Sequence, residues 1–287
     1  MTNNIFEQGC LIHLQTSIWT GKVKLSPSQY HVDADPDLVK ATKYLVDHNC
    51  LKPVERIRND ARNFIYGKTL PFPIPGVSFI PKDLITSVDE KLKEFQIQFD
   101  AEVQAFCDNY NIFIADAKQR LNGLFDESQY PQHIERHFNL DWRFFVMETG
   151  QSHLLSPEIY EREKTKFLET IQNFEETAIM TLRESFSSLI SHIVDRLSGD
   201  KIFRNSLILN IKEFINDFKA LNISDDIVLE SLIEKCKSVI SGVNPDTLRE
   251  NESLKSEIHS QMKNIQSSLD SMMKTKPVRK MLFIPNL

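Results

Sequence analysis

Glycine is scarce in this chain, with 8 among 287 residues, where about 7% would be usual. Loops that hold phosphate groups need glycines at fixed spacing, as in G-x-G-x-x-G or G-x-x-x-x-G-K-[ST]. The nearest match is Gly67-Lys68-Thr69, and Arg62 stands where the first glycine of the second pattern is required. The scarcity therefore argues against a nucleotide-binding enzyme and favours helices.

Paired cysteines and long apolar runs are also missing. Cys10, Cys50, Cys107 and Cys236 lie far apart and form no C-x-x-C pair, which predicts free thiols in a reducing compartment. The sequence shows no secretory signal and no apolar run of about 18 residues that could cross a bilayer. A net charge of −6 does not favour nucleic acid as the main partner. We therefore expect a cytoplasmic protein with neither a membrane nor a nucleic-acid partner.

Phenylalanine at helical spacing is what the chain has in abundance. There are 19 Phe against 6 Tyr and 2 Trp, so aromatic residues serve mainly to fill a core. One apolar stripe repeats every three or four residues, with a mean of about 3.67, which is typical of a nearly straight packed helix. It predicts a helix from Leu84 to Leu121. The members of the stripe are Val88, Leu92, Phe95, Phe99, Val103, Phe106, Tyr110, Phe113, Ala117 and Leu121.

Two later stretches carry stripes of the same kind. Ser156-Pro157-Glu158 has the cap, the proline and the acidic residue that begin helices, and a stripe from Phe167 to Leu197 follows. Another stripe, from Leu248 to Met272, predicts a long helix that begins near Pro245. The first two long helices have similar lengths. We expect them to pair as an antiparallel hairpin, because each stripe needs a partner that buries it.

Several shorter stretches predict strands. Residues 10–19, 77–80, 142–148 and 281–284 are rich in β-branched, aromatic or alternating apolar residues, as strands are. The strip Leu70–Pro81, LPFPIPGVSFIP, should be extended, because proline fixes φ and has no N–H to donate. We expect it to lie beside these strands at the base of the first long helix.

Shorter helices complete the pattern. Asp35 and Pro36 have the order of a cap and a first helical residue, so residues 35–49 are predicted to be helical, followed by a second short helix at 53–66. Two medium helices are expected at about residues 201–220 and 225–241, where apolar periodicity and flanking turn residues agree.

The expected fold is mainly α with a small β-sheet. Its main feature is an elongated antiparallel long-helix hairpin, a coiled-coil stalk with the sheet at one end. Three consecutive regions follow. Residues 1–83 hold the N-terminal strand, the short helices and the proline-rich strip; residues 84–198 hold the hairpin and its compact connection; residues 199–287 hold the C-terminal helices and a terminal strand.

Histidines in the connection are the best candidates for a metal site. His133 and His137 are four residues apart in HIERH, a spacing that places two imidazoles on one face of a helix. However, Glu135 fits neither H-E-x-x-H nor H-x-x-E-H, and the sequence suggests no third ligand. We expect no metal, no cofactor and no catalytic residue. The alternative is an enzyme that uses Asp141 with His133 and His137.

The C-terminal stretch KTKPVRKMLFIPNL places basic residues beside apolar ones. Its functional interpretation is a docking tail for an acidic partner or a membrane surface. The simpler interpretation is a charged connector before a structural strand. The candidate docking residues are Lys274, Lys276, Arg279, Lys280, Met281 and Phe283.

Two stretches, and the helix that follows them, resemble those of a known protein family. They are TSIWTGKVKLS, with a tryptophan before a Gly-Lys turn, and RNDARNFIYGKTLPFPIPGVSFIP. Together with the first long helix they resemble a family of uncharacterised proteins of bacteria, phages and mobile elements. Genes of that family often neighbour MoxR-type AAA+ ATPases and von Willebrand factor A-domain proteins. The resemblance implies protein partners of these two kinds and supplies no site residues.

Three functional hypotheses follow from these patterns. The favoured one is a non-enzymatic helical assembly or adaptor protein, because long amphipathic helices occur without nucleotide, metal or triad motifs. The alternative is an α-helical pore-forming or membrane-remodelling protein, in which Leu70–Pro81 or Met281–Ile284 would be an apolar tongue. The third is the enzyme hypothesis given above. A homo-oligomer remains open, since another subunit could complete a stripe.

Overall fold

The computed structural model describes residues 5–30, 33–35, 38–147, 155–198, 205–243 and 251–273. The chain is mainly helical with a small β-sheet, as the sequence predicts. It forms two compact units. Unit 1 comprises described residues within Met1–Ile12, Tyr66–Ile85 and Phe144–Leu287, and unit 2 comprises those within His13–Ile65 and Thr86–Arg143. Each unit combines segments that are distant in sequence. The three regions predicted from the sequence are instead consecutive along the chain.

The first long helix is present as two successive helices. The helices of this half of the chain are α1 (Lys52–Lys68), α2 (Lys82–Asp108) and α3 (Tyr110–Leu121). Asn109 separates α2 from α3 with φ −97° and ψ 1°. Even so, the N–H of Phe113 donates to the carbonyl of Asn109 at 3.1 Å, so the helical phase continues. Every member of the predicted stripe is buried or half-buried, which confirms the stripe.

The core of unit 2 is built around Phe106. Ring centroids lie 6.1 Å from it at Trp19, 5.4 Å at Phe113 and 5.6 Å at Phe138. These tilted or edge-on contacts are the geometries that aromatic pairs prefer. Residues of α2 and α3 therefore share one core, and their inner faces point in the same direction.

Unit 1 contains the second long helix. Its helices are α4 (Pro157–Leu197), α5 (Asn205–Leu221), α6 (Ile227–Ile240) and α7 (Glu252–Met273). Ser156 caps α4 as predicted, because its hydroxyl accepts from the N–H of Ile159 at 3.4 Å. Within unit 1, α4 packs against α7 and α5, and Phe186 stacks on Phe214 at 5.7 Å. Each long stripe is thus buried by neighbours in its own unit, and the predicted hairpin between them is not confirmed.

The strands agree with three of the four predicted positions. They are β1 (Gly9–Ser17), β2 (Lys22–Lys24), β3 (Thr42–Tyr44), β4 (Leu70–Pro71), β5 (Val77–Pro81) and β6 (Asn139–Phe145). One sheet has the order β4-β5-β1-β6, and β2 pairs with β3 separately. In the antiparallel β4–β5 pair, Leu70 lies opposite Phe79. Strand β6 begins three residues before the predicted start, and the strand expected at 281–284 lies outside the described residues.

The helix predicted at residues 35–49 is wrong. Its described part contains β3, which pairs antiparallel with β2 so that Val23 lies opposite Lys43. A 3₁₀ turn then spans His48–Cys50, and the carboxylate of Asp47 caps it by accepting from the N–H of Asn49 at 2.9 Å. A distant pairing partner outweighed the local helical pattern, since strand propensity depends strongly on context.

Among the ranges that the structure describes, no helix combines the length and the apolar character needed to cross a membrane.

Candidate interaction surface

The two histidines considered for a metal site are not on an α-helix. Ile134–His137 forms a 3₁₀ turn, which has about three residues per turn, so side chains four apart do not share a face. His133 Nδ1 instead lies 3.3 Å from Glu135 Oε1. No group of three potential metal ligands occurs anywhere in the described ranges. The structure therefore does not gather His133, His137 and Asp141 into a metal centre.

Lys68, in the partial phosphate motif, is held by carboxylates. Its Nζ lies 2.8 Å from Glu213 Oε1 and also bonds Asp217, on α5. Burial by itself would lower the pKa of the Lys68 ammonium, but its hydrogen bonds to Asp217 and Glu213 outweigh that effect and raise the pKa. Lys68, at the end of α1, belongs to unit 1, so this contact with α5 lies within that unit, and the lysine does not present its charge to a phosphate.

The proline-rich strip is part of the core of unit 1. Leu70, Phe72 and Phe79 are each at most 5% exposed. The rings of Phe72 and Phe79 both lie 5.2 Å from that of Phe174 on α4. These side chains close one end of the α4 stripe, so the strip serves packing in this state of the protein.

The basic docking tail proposed at Lys274, Lys276, Arg279, Lys280, Met281 and Phe283 lies outside the described residues. Its role stays a prediction.

The cysteines are free, as predicted. Cys10, Cys50 and Cys107 are half-buried, and Cys236 is buried on α6. Burial raises the pKa of the Cys236 thiol to about 12 and raises the pKa of the other three as well. Thiolates are the reactive form of cysteine, and burial disfavours that form at all four positions.

A pair of apolar side chains stands exposed at the start of α6. Ile227 is 74% exposed and Val228 is 57% exposed. The turn before them is fixed by Asp226, whose backbone N–H donates to Asn222 Oδ1 at 2.9 Å. Asp226 Oδ1 accepts from the N–H of Leu229 at 3.1 Å and thereby caps the helix. We call Ile227 and Val228 the α6 entry patch.

An ion pair anchors the α6 entry patch to the longest helix. Asp226 Oδ2 lies 2.7 Å from Nε of Arg183 on α4, and the Asp226 side chain is only 5% exposed. Because the cap and the ion pair use the same carboxylate, the first turn of α6 has a fixed position. Two apolar side chains held outward on a rigid turn are well suited to bind an apolar groove of another protein.

A longer exposed surface lies on α2 and α3, opposite their buried stripe. Ile97 is 71% exposed and Ile112 is 65% exposed. Between and after them lie other exposed residues at helical spacing, which are Ala101, Ala105, Asp108, Ala115 and Gln119. We call these seven residues the outer face. Exposed carboxylates lie beside it at Asp100 and Asp116.

Neither surface was identified from the sequence. The outer face repeats with steps of 4, 4, 3, 4, 3 and 4 residues, so a search for a second stripe in the same helix would have found it. The phenylalanines of the inner stripe form the more obvious pattern, and only that stripe was predicted from the sequence. The α6 entry patch has no such signal, since only the fold shows that Ile227 and Val228 point away from the core.

The comparisons with known proteins give a family for this chain. No curated protein and no solved structure matches the chain significantly. One family model, described as "Protein of unknown function (DUF3150)", matches residues 6–254. This range includes unit 2, the α6 entry patch, the outer face and most of unit 1, and it ends near the start of α7. The chain therefore belongs to the DUF3150 family.

Proposed function

We propose that this protein is a non-enzymatic helical assembly or adaptor protein of the cytoplasm. Its proposed partners are a MoxR-type AAA+ ATPase and a von Willebrand A-domain protein, the two kinds that the sequence resemblance implies. The observation that carries the proposal is the α6 entry patch, where large apolar side chains are exposed on a rigid turn. Exposed apolar residues held in fixed geometry are typical of protein-binding surfaces.

The chemistry of the patch supports protein binding over small-molecule binding. Ile227 and Val228 offer apolar area without a hydrogen-bonding group, and both side chains are more than half exposed at the start of α6. Small ligands usually require a concave pocket with a few polar groups placed in it. The patch therefore fits a shallow apolar groove on a protein partner.

Co-purification with the two proposed partners tests this function. The full chain, carrying an affinity tag, is mixed with a MoxR-type ATPase and a von Willebrand A-domain protein in the presence of a slowly hydrolysed ATP analogue. Stable association is expected. If the chain recovers neither partner with the nucleotide bound, the proposed function is wrong.

A matched pair of variants locates the contact. Ile227→Asp combined with Val228→Glu removes the apolar surface, while acidic residues in a first helical turn favour the helix. We expect this variant to lose most of the association. Leu168→Glu replaces a residue on α4 that is 47% exposed and should bind as the unchanged chain does. Equal binding by both variants would show that the α6 entry patch is not the docking site.

The elongated stalk expected from the sequence is part of the proposal. A long-helix hairpin would give the adaptor reach between its two partners. Small-angle X-ray scattering of the 33.3 kDa chain tests the shape directly. We expect a radius of gyration clearly above that of a compact domain of equal length, roughly 19 Å from the usual scaling. A value near the compact one would remove the stalk from the proposal.

A further inference from the structure

Two contacts of α7 fix the direction in which this helix runs through unit 1. Near its start, Ile258 and Gln261 line a cavity together with Val239, at the far end of α6. Farther along, Gln266 Nε2 donates to the hydroxyl of Ser191 on α4 at 2.9 Å. The same helix therefore meets the end of α6 first and the middle of the second half of α4 next.

Helix lengths then place the last residues of α7. At 1.5 Å per residue, Ser191 is about 12 Å along α4 from Arg183, which holds the start of α6, and α6 is about 20 Å long. Gln266 is about 10 Å along α7 from the end of α6. If α7 ran away from the start of α6, Gln266 would be about 30 Å from Arg183. The helix therefore runs back along α6, and its seven remaining residues bring Met273 to the level of Arg183.

Val228 of the α6 entry patch lies on the side of α6 that faces α7. Val228 and Val239 are 11 residues apart, which is close to three full helical turns, so they share one face. Val239 meets α7 at the end of α6, and α7 reaches its last described residue at the level of Val228. The end of α7 is therefore next to the α6 entry patch.

The two helix ends that meet here are acidic. Arg183 neutralises Asp226, and the other carboxylates of these two stretches are exposed. Even with Lys219, on the last turn of α5, negative charge is in excess. Residues 222–231 and 267–273 contain no lysine, arginine or histidine, and their carboxylates are those of Asp225, Asp226, Glu230 and Asp270.

The stretch that follows α7 in sequence has the complementary chemistry. Residues 274–280, KTKPVRK, are strongly basic, and residues 281–284, MLFI, are apolar; both lie outside the described residues. An extended chain advances about 3.3 Å per residue, so residue 281 is within about 26 Å of Met273. That reach exceeds the width of a helix, about 10 Å. The apolar residues can therefore reach the α6 entry patch.

We propose that residues 274–284 bind the α6 entry patch of the same chain. Met281–Ile284 cover Ile227 and Val228, and the basic residues before them lie beside the exposed carboxylates. Because the segment is tethered, its effective concentration is on the order of millimolar, so a weak contact is enough. A partner that docks on the α6 entry patch must displace the segment. This last consequence rests on the proposed function, whereas the contact itself does not.

Photo-crosslinking of the full chain tests the contact. Phe283→p-benzoyl-phenylalanine places a photoreactive group in the segment, and peptide mass spectrometry locates its attachment after illumination. We expect attachment to residues 222–231 within one chain, which then keeps the monomer mass of 33.3 kDa on a denaturing gel. Attachment to other residues, attachment between two chains, or no attachment would overturn the proposal.

A matched pair of variants tests the apolar part of the contact. Ile227→Lys combined with Val228→Lys removes the apolar surface and repels the basic segment, and it should lower the crosslinking yield about tenfold. Leu209→Lys, at a 64% exposed site on α5, should leave the yield unchanged. Equal yields in these two variants would overturn the proposal.

Salt and the basic residues test the electrostatic part. Raising the salt concentration from about 0.05 M to about 0.5 M should lower the yield, since exposed charges are then screened. Replacing the four basic residues of the segment with glutamine should lower the yield and remove its dependence on salt. A yield that salt does not change in the unchanged segment would overturn the assigned role of the carboxylates.

Partner binding separates this proposal from the proposed function. Met281→Asp combined with Phe283→Asp frees the α6 entry patch and should tighten association with the MoxR-type ATPase or the A-domain protein about threefold or more, since a larger fraction of the chain is then competent to bind. Unchanged affinity would overturn the competition. A crosslink to the patch without partner binding would support the contact and contradict the proposed function alone. Partner binding without a crosslink would overturn the contact alone.

Discussion

Nε of Arg183 lies 2.7 Å from Oδ2 of Asp226, and the pair joins α4 to the first turn of α6. The Arg183 side chain is 22% exposed and that of Asp226 is 5% exposed, so the pair is largely shielded from water. A carboxylate this buried needs its counter-charge, because an unpaired buried charge is strongly unfavourable. The two residues are 43 positions apart in sequence, and the contact arises only when unit 1 is folded.

Replacing the arginine tests this contact. Arg183→Met keeps much of the side-chain volume but leaves Asp226 without its cation, and we expect unit 1 to lose about 2–3 kcal/mol of stability. Urea unfolding followed by far-UV circular dichroism measures the change. Arg162→Met removes a cation from an exposed pair with Glu163 and should leave the unfolding midpoint nearly unchanged. Equal effects of the two variants would contradict the role given to Arg183.

Two tyrosines of unit 2 should respond in opposite ways to loss of the hydroxyl. Tyr130 Oη donates to the carbonyl of Leu45 at 2.7 Å, so Tyr130→Phe should cost about 1 kcal/mol. The buried Oη of Tyr110 finds no partner among the described residues, and burial raises its pKa to about 12. Tyr110→Phe should therefore be neutral or stabilising by up to about 1 kcal/mol. Urea unfolding of both variants gives the comparison, and a larger loss for Tyr110→Phe would contradict it.

Two glycines provide a second matched pair. A Cβ at Gly9 would stand 2.2 Å from the carbonyl oxygen of Ile80 and 2.6 Å from Cζ of Phe79. Gly9→Ala should therefore destabilise unit 1 by about 2 kcal/mol or more, as overpacking does. A Cβ at Gly67, near the end of α1, would meet nothing within 4 Å, so Gly67→Ala should stabilise the helix by about 0.5–1 kcal/mol. Melting temperatures that move the same way for both variants would contradict the packing described at β1.

Acid should weaken the contact between Asp89 and Trp142. The pKa of the Asp89 carboxyl lies below its usual 3.8, because Lys93 and the Trp142 indole N–H, at 2.9 Å, hydrogen-bond the ionised form. A lowered folded-state pKa contributes stability above pH 3.8, and that contribution is lost as pH falls through the folded value. The difference in urea midpoint between the unchanged chain and Asp89→Asn should thus be largest above pH 3.8 and shrink below it.

A control on the same helix completes this pH test. Asp100→Asn changes an exposed carboxylate of α2 and should leave the urea midpoint almost unaffected at any pH. If the Asp89→Asn difference were the same at every pH, the ionised carboxylate would not be the group that stabilises this contact.

The buried stripes could be predicted because they depend on local spacing alone. Phe106 and Phe174 occupy positions that any helix through their segments would turn toward a core. The cap at Ser156 was equally local, since its hydrogen bond reaches only to Ile159. The members of these stripes and the cap of α4 were therefore accessible from sequence, although the helix predicted at residues 35–49 was wrong.

Distant pairings explain what the sequence did not reveal. The pairing of β3 with β2 converted an expected helix into a strand, and the Arg183–Asp226 contact has no sequence signature. The break at Asn109 was not expected, because the apolar stripe passes through it without interruption. The outer face could have been predicted from the sequence, because Ile97 and Ile112 belong to a second stripe at helical spacing. The α6 entry patch could not have been predicted, because its exposure depends on how α6 packs.

Light scattering during gel filtration tests the adaptor function most directly. The chain is run alone, and then with the two proposed partners, a MoxR-type ATPase and a von Willebrand A-domain protein, with a slowly hydrolysed ATP analogue present. We expect a single species whose mass includes the chain and at least one partner, and we expect that species to disappear with the Ile227→Asp, Val228→Glu variant. Separate peaks at the masses of the individual proteins, with the unchanged chain and nucleotide present, would contradict it.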